Sequence, residues 1–231
     1  MLAATLGEAI GGLLPAAVGV AISPIPIIAV ILMLGTRRAR VNGPACGLGW
    51  IVGLTAVATI ILVVTRGAGA DDPSSGASTG GDTFQLVLGV VLLLLAAKQW
   101  RSRPKAGEEP EMPGWMDKID GFSPPAAAGL GVVLSAVNPK NLILAASAGA
   151  AIGQAGLPVG EDVVAVAVFV VISSVTVVGA VLFYLIGGTR SEHALGSMKA
   201  FMSTHNAVIM TVLFLVLGAK ILGQGIAGLS A

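Results

Sequence analysis

The chain has 231 residues, of which 55% are hydrophobic and only 11% charged, with a formal net charge of +1. Its mean hydropathy of +0.92 is far above what a water-soluble domain carries, so a soluble enzyme or a nucleic-acid binder is excluded and an integral membrane protein is expected. A backbone in lipid must satisfy its own hydrogen bonds, so long apolar runs here read as helices, each needing roughly 20 residues to span.

Six such runs follow in chain order. The first, about residues 6–34, is long and contains Pro15, Pro24 and Pro26. The second covers about 45–65 and the third about 83–100, the shortest, with Lys98 snorkelling beside Trp100 at its end. A polar segment, 101–123, precedes the fourth run at about 125–152; the fifth takes about 163–187 and the sixth about 207–227. The expected fold class is an all-α membrane protein in one transmembrane domain, with six helices arranged as two three-helix halves, about 5–100 and 124–229. Within the polar segment, Trp115, Met116, Ile119 and Phe122 share one face opposite Asp117, Lys118 and Asp120, which predicts a short interfacial helix over 113–122.

Positive charge orients these runs, because short cytoplasmic loops retain Lys and Arg. Ten of the 13 basic residues fall between runs one and two (Arg37, Arg38, Arg40), three and four (Lys98, Arg101, Arg103, Lys105, Lys118) and five and six (Arg190, Lys199). The loops GAGADDPSSGASTGGD and GQAGLPVGED on the other side contain none, and Arg66 lies at the edge of the second run. Both termini are therefore expected outside a bacterial plasma membrane, with the first helix as its own targeting signal. Cys46, the only cysteine, cannot form an intrachain disulfide and reads as a small packing residue.

Three helices per half is an odd number, so any internal duplication is inverted across the membrane, and inverted repeats place transport sites on discontinuous helices near the midplane. Aligning AISPIPIIAVILMLG with SAVNPKNLILAASAGAAIG sets Ser23-Pro24 against Asn138-Pro139. Ser and Asn are preferred N-caps and Pro a preferred first helical residue, so both helices are expected to break and restart in mid-membrane. Two restarted helices direct N–H groups and positive dipole ends inward, and Lys140 adds a full charge, so the centre favours an anion. The plainer reading is two kinked helices with Lys140 reaching for an interface. Asn141 joins the candidate site, and Thr55 and Ser174 are weaker candidates, since hydroxyls in membrane helices commonly bond their own carbonyls. Thr59 shares the Thr55 face, and Ser173 and Thr176 accompany Ser174. Glu8 and Lys220 lie near outer helix ends, where snorkelling or an outer ion pair accounts for them. Gly43, Gly47, Gly49 and Gly53 mark a face for close helix packing or, as the other reading, a homodimer. No cofactor, metal-ligand spacing or enzyme constellation is expected.

The stretch SPIPIIAVILMLGTRRARVNGPACGLGWIVGL resembles the first-helix signature of the lysine-exporter superfamily, and NPKNLILA is similar to its Asn-Pro-Lys motif. The stretch PGWMDKIDGFSPPAAAGLGVVLSAVNPKNLILAASAGAAI resembles, more narrowly, the GAP branch of peptidoglycolipid-addressing proteins. The resemblance implies a secondary exporter of two inverted repeats and carries over to Pro24, Pro26, Asn138, Pro139 and Lys140. Where many amino-acid exporters of the superfamily have Pro-Gly-Pro, this chain has Pro24-Ile25-Pro26, which turns the expectation away from amino acids. The expected substrate is an anionic or amphipathic, lipid-linked small molecule in contact with membrane lipid. An exporter of polar metabolites and a non-transporting subunit of lipid-export machinery are the alternatives.

Overall fold

The computed structural model describes residues 5–70, 77–103 and 114–229. Among them every regular element is helical. The order is α1 (Leu6–Ala21), α2 (Pro24–Leu34), α3 (Ala39–Ala70), α4 (Ala77–Arg101), a 3-10 segment (Gly114–Gly121), α5 (Pro124–Val132), a π-helical turn (Val133–Val137), α6 (Pro139–Gln154), α7 (Val159–Gly187) and α8 (Glu192–Leu229).

Among the described residues, three helices are long and apolar enough to cross a membrane: α3 over Ala39–Gly67, α7 and α8. Two bent pairs qualify as a span each, α1 with α2 at 49° and α5 with α6 at 64°, giving up to five. The expected breaks at Ser23 and Asn138 are therefore present. The expected third run corresponds to α4, which is not among those five. The segment between the fifth and sixth runs is helical rather than a loop, since α8 starts at Glu192 and takes in His193 and His205. Residues 192–206 contain no proline, and Glu192 suits a first helical turn.

The chain forms two compact units, each drawing on both halves of the sequence. One comprises Met1–Arg66 with Glu111–Ser203, the other Gly67–Pro110 with Thr204–Ala231. In the first unit α1 packs on α6 and α7, and α2 packs on α7 and on the 3-10 segment. In that segment Met116 and Ile119 are buried and Lys118 and Asp120 exposed, matching the expected two-faced helix in a tighter winding. Glycine lets α3 approach its neighbours backbone to backbone. A Cβ on Gly49 would overlap the Ala128 carbonyl, one on Gly131 the Cys46 carbonyl and one on Gly149 the Ala58 carbonyl. These glycines thus serve the contacts of α3 with α5 and α6 inside the chain. In the second unit α4 and α8 meet in the same way, a Cβ on Gly89 coming within 2.6 Å of the Leu222 nitrogen. The Arg103 guanidinium lies 4.0 Å from the centroid of the Trp100 ring.

At the start of α1, Thr5 and Glu8 close a capping box: the Thr5 N–H donates to Glu8 Oε2 at 2.8 Å and the Glu8 N–H to Thr5 Oγ1 at 3.3 Å. This accounts for Glu8 as a helix-starting residue.

Candidate functional site: two interlocked helix breaks

Pro24 has no N–H to offer Val20, and the Ser23 N–H turns to the Val20 carbonyl instead, at 3.1 Å. In an unbroken helix that N–H would serve Gly19, so the Gly19 carbonyl is released. It accepts from Lys140 Nζ at 2.7 Å, in a fully buried contact across 121 residues of sequence. The Ala21 carbonyl, whose donor in an unbroken helix would be Ile25, accepts from the Thr176 hydroxyl of α7. One turn back, Ser173 Oγ donates to the Ala17 carbonyl at 3.4 Å. The carbonyl end of α1 is thus closed by side chains from α6 and α7, with a cation where the helix dipole is negative.

The second break follows the same logic in a different geometry. The Asn138 N–H bonds Val133, five residues back, at 3.0 Å, which widens the preceding turn to a π-helix and releases the Leu134 carbonyl. Asn141 Nδ2 donates to that carbonyl at 2.9 Å. Asn141 Oδ1 accepts from Ser23 Oγ at 2.8 Å, joining the two breaks directly. Asn138 caps α6, its Oδ1 accepting the Lys140 N–H at 3.2 Å. The widened turn is held from the side by α3, where a Cβ on Gly53 would occupy the place of Ser135 Oγ. The first break therefore releases the Gly19 and Ala21 carbonyls and the second the Leu134 carbonyl, and consecutive residues of the first turn of α6 take Gly19 and Leu134.

Of the residues read from sequence, Ser23, Pro24, Pro26, Lys140, Asn141 and Ser174 are buried. Asn138 is half-buried at the break, and Pro139 is exposed although it sets the N-terminus of α6. Thr55 is not brought to the site: it is exposed, as is Thr59, on the side of α3 turned from its packing partners. The expected stock of inward backbone donors is also smaller. Pro24 and Pro26 carry no N–H, and the Ile27 N–H bonds the Ser23 carbonyl at 3.3 Å, so the first turn of α2 offers the Ile25 N–H alone.

Lys140 is 5% exposed. Its ammonium has three N–H donors, of which the Gly19 carbonyl takes one, and no carboxylate pairs with it among the described residues.

Three contacts escaped sequence reading. Arg66 Nη1 lies 2.6 Å from Asp162 Oδ2, and its other terminal nitrogen donates to the Leu157 carbonyl. Asp162 is buried in the first turn of α7, not in a loop. Arg66 and the GED triplet both fell on the outer side by charge count, and this was the signal available for pairing them. Asn42 Nδ2 donates to the Phe122 carbonyl at 2.9 Å, fixing the start of α3 to the end of the 3-10 segment. Thr176, a mere companion of Ser174 in the sequence, holds the Ala21 carbonyl.

Membrane-length apolar helices, with two bent pairs broken at proline and locked together through a buried lysine and asparagine, mark a helical membrane protein whose first unit holds a buried polar interlock. A family model described as Sap, sulfolipid-1-addressing protein, matches residues 13–227. The chain belongs to that family. No curated protein and no solved structure matches it significantly.

Proposed function

We propose that the chain is a secondary transporter that carries an anionic, lipid-linked amphiphile across the plasma membrane, with the crossing of the two breaks as its substrate site. In this reading α4 supplies the sixth span, α1 to α4 and α5 to α8 are inverted halves of lysine-exporter type, and both termini face outward. The observation that carries the proposal is Lys140, a buried cation with one protein acceptor for three donors, held at the point where both helices are interrupted. A buried charge without a counter-ion is costly in a membrane, and such groups mark substrate and ion paths. An anionic headgroup would supply the missing acceptors. The family description names a sulfolipid, which agrees in class with an anionic amphiphile.

Reconstitution tests this directly. Liposomes with and without the purified chain would carry a fluorophore-labelled sulfated glycolipid or its neutral counterpart of equal chain length, and leaflet exchange would be followed by chemical quenching under an imposed pH gradient. The expected result is protein-dependent exchange of the sulfated lipid, faster than that of the neutral one. No acceleration of any lipid, or efflux of trapped amino acids alone, would overturn the proposal.

A further inference from the structure

Six buried side-chain polar atoms among the described residues have no hydrogen-bond partner, and two of them, the indole Nε1 of Trp50 and the hydroxyl of Ser174, can donate. Trp50 is 1% exposed and Ser174 5%. Neither is near the other in sequence, yet helix register brings them together. Gly43, Gly47 and Trp50 stand at i, i+4 and i+7 and share one stripe of α3; Ser174, Val178 and Val181 do the same on α7. A Cβ on Gly43 would lie 3.7 Å from Val181 and one on Gly47 3.9 Å from Val178. The two stripes thus run antiparallel and face to face, and the next step along each sets Trp50 opposite Ser174. Seven residues separate Trp50 from Gly43, and seven separate Ile27 from Leu34, whose side chain Gly43 touches, so this pair lies level with the first turn of α2. Thr176, two residues beyond Ser174, holds the Ala21 carbonyl and confirms the level as that of the break.

Buried polar groups in native proteins are nearly always paired, and an indole N–H can only donate. We propose that Trp50 and Ser174 form a second contact point for the substrate, donating to oxygens of its acidic headgroup at the level of the helix break. The inference rests on the transport reading and adds a binding surface on α3 and α7 to the Lys140 site on α6. Lys140, Trp50 and Ser174 all contribute donors, so the ligand class is an oxyanion-bearing headgroup.

Trp50 is its own reporter. Replacing the exposed Trp100 and the half-buried Trp115 by Phe leaves it the sole tryptophan, and this variant in phosphatidylcholine nanodiscs would be titrated with sulfated galactosylceramide or with galactosylceramide. The sulfated lipid is expected to give a saturable shift in Trp50 emission and the neutral lipid a weaker one. Adding Ser174→Ala should weaken binding by about threefold to tenfold, the range of one hydrogen bond, while the melting temperature of the lipid-free protein stays level or rises, because the hydroxyl removed has no partner. A silent Trp50 beside intact Lys140-dependent transport would overturn this contact and leave the transport reading standing. An equal response to both lipids would remove the acidic headgroup, and a Ser174→Ala variant that melts lower but titrates normally would make the hydroxyl structural.

Discussion

Replacing Lys140 by Met separates the two duties its position suggests, closing α1 and meeting an anion. Removing the ammonium deletes a charge-assisted hydrogen bond to the Gly19 carbonyl, costing about 1.5–3 kcal/mol. It also deletes a charge whose insertion at mid-helix costs roughly 2.5–3.5 kcal/mol. The two nearly cancel, and for a chain of this length a residue of about 1 kcal/mol moves the melting temperature by only about 2–4 °C. Lys140→Met is therefore expected to melt within a few degrees of wild type and to lose lipid exchange entirely. Lys140→Gln, which keeps a donor for Gly19 but no charge, should also be folded and inactive. Both quantities are read on one detergent preparation, by scanning fluorimetry and after reconstitution. A drop of more than about 10 °C, with the surviving folded protein still active, would show that the charge is architectural, since that exceeds what the lost cap accounts for. A stable Lys140→Met variant with normal exchange would refute the anion contact itself.

Gly131→Ala drives a Cβ into the Cys46 carbonyl and should destabilise by about 1–3 kcal/mol or more, while Gly129→Ala, with no atom within 4 Å of its Cβ, should be neutral; thermal unfolding in detergent compares them. Arg66→Met leaves Asp162 buried without its cation and should cost about 1–3 kcal/mol, less than for a fully buried pair because Arg66 is 31% exposed. Adding Asp162→Asn should restore most of that loss, and a double variant as unstable as the single one would deny the coupling. A reporter active only outside the cytoplasm, fused after Ala231, should be active; activity of a cytoplasm-only reporter in its place would reverse the orientation read from loop charge.

The breaks were legible because proline is read locally: no donor, fixed φ, and a capping residue just before it, in both halves of the chain. What the breaks do to their carbonyls was not. Lys140 takes the Gly19 carbonyl, which is released when the Ser23 N–H shifts to Val20. That shift depends on where the chain turns, which the sequence does not state. The exposure of Thr55 was hidden for a related reason, since four-residue spacing to Thr59 sets a shared face but not which way it points. The π-helical turn carries the Asn138 N–H to Val133 and lies close against α3 at Gly53, a tertiary contact with no local signature. Asp162 looked like a loop acid because Gly156 and Pro158 end the preceding helix so plainly, and the early start of α7 at Val159 went unread.

The two breaks differ in how they dispose of backbone polarity, and the difference bears on where the proposed ligand would be held. At the first, prolines at positions one and three strip α2 of two donors and a third is bonded, so its N-terminus offers little to an anion. At the second, Asn138 already occupies the Lys140 N–H. Backbone donors at both restarts are thus absent or largely spent, and the carbonyls released upstream are taken by Lys140, Thr176 and Asn141. The donor capacity that survives belongs chiefly to side chains: two N–H groups on Lys140, the indole of Trp50 and the hydroxyl of Ser174. Side chains can change rotamer when a ligand arrives, whereas a helix N-terminus moves only with its helix. In the proposed reading, such a site would take up and release an acidic headgroup without first unlocking Ser23 from Asn141, so the interlock would persist through binding.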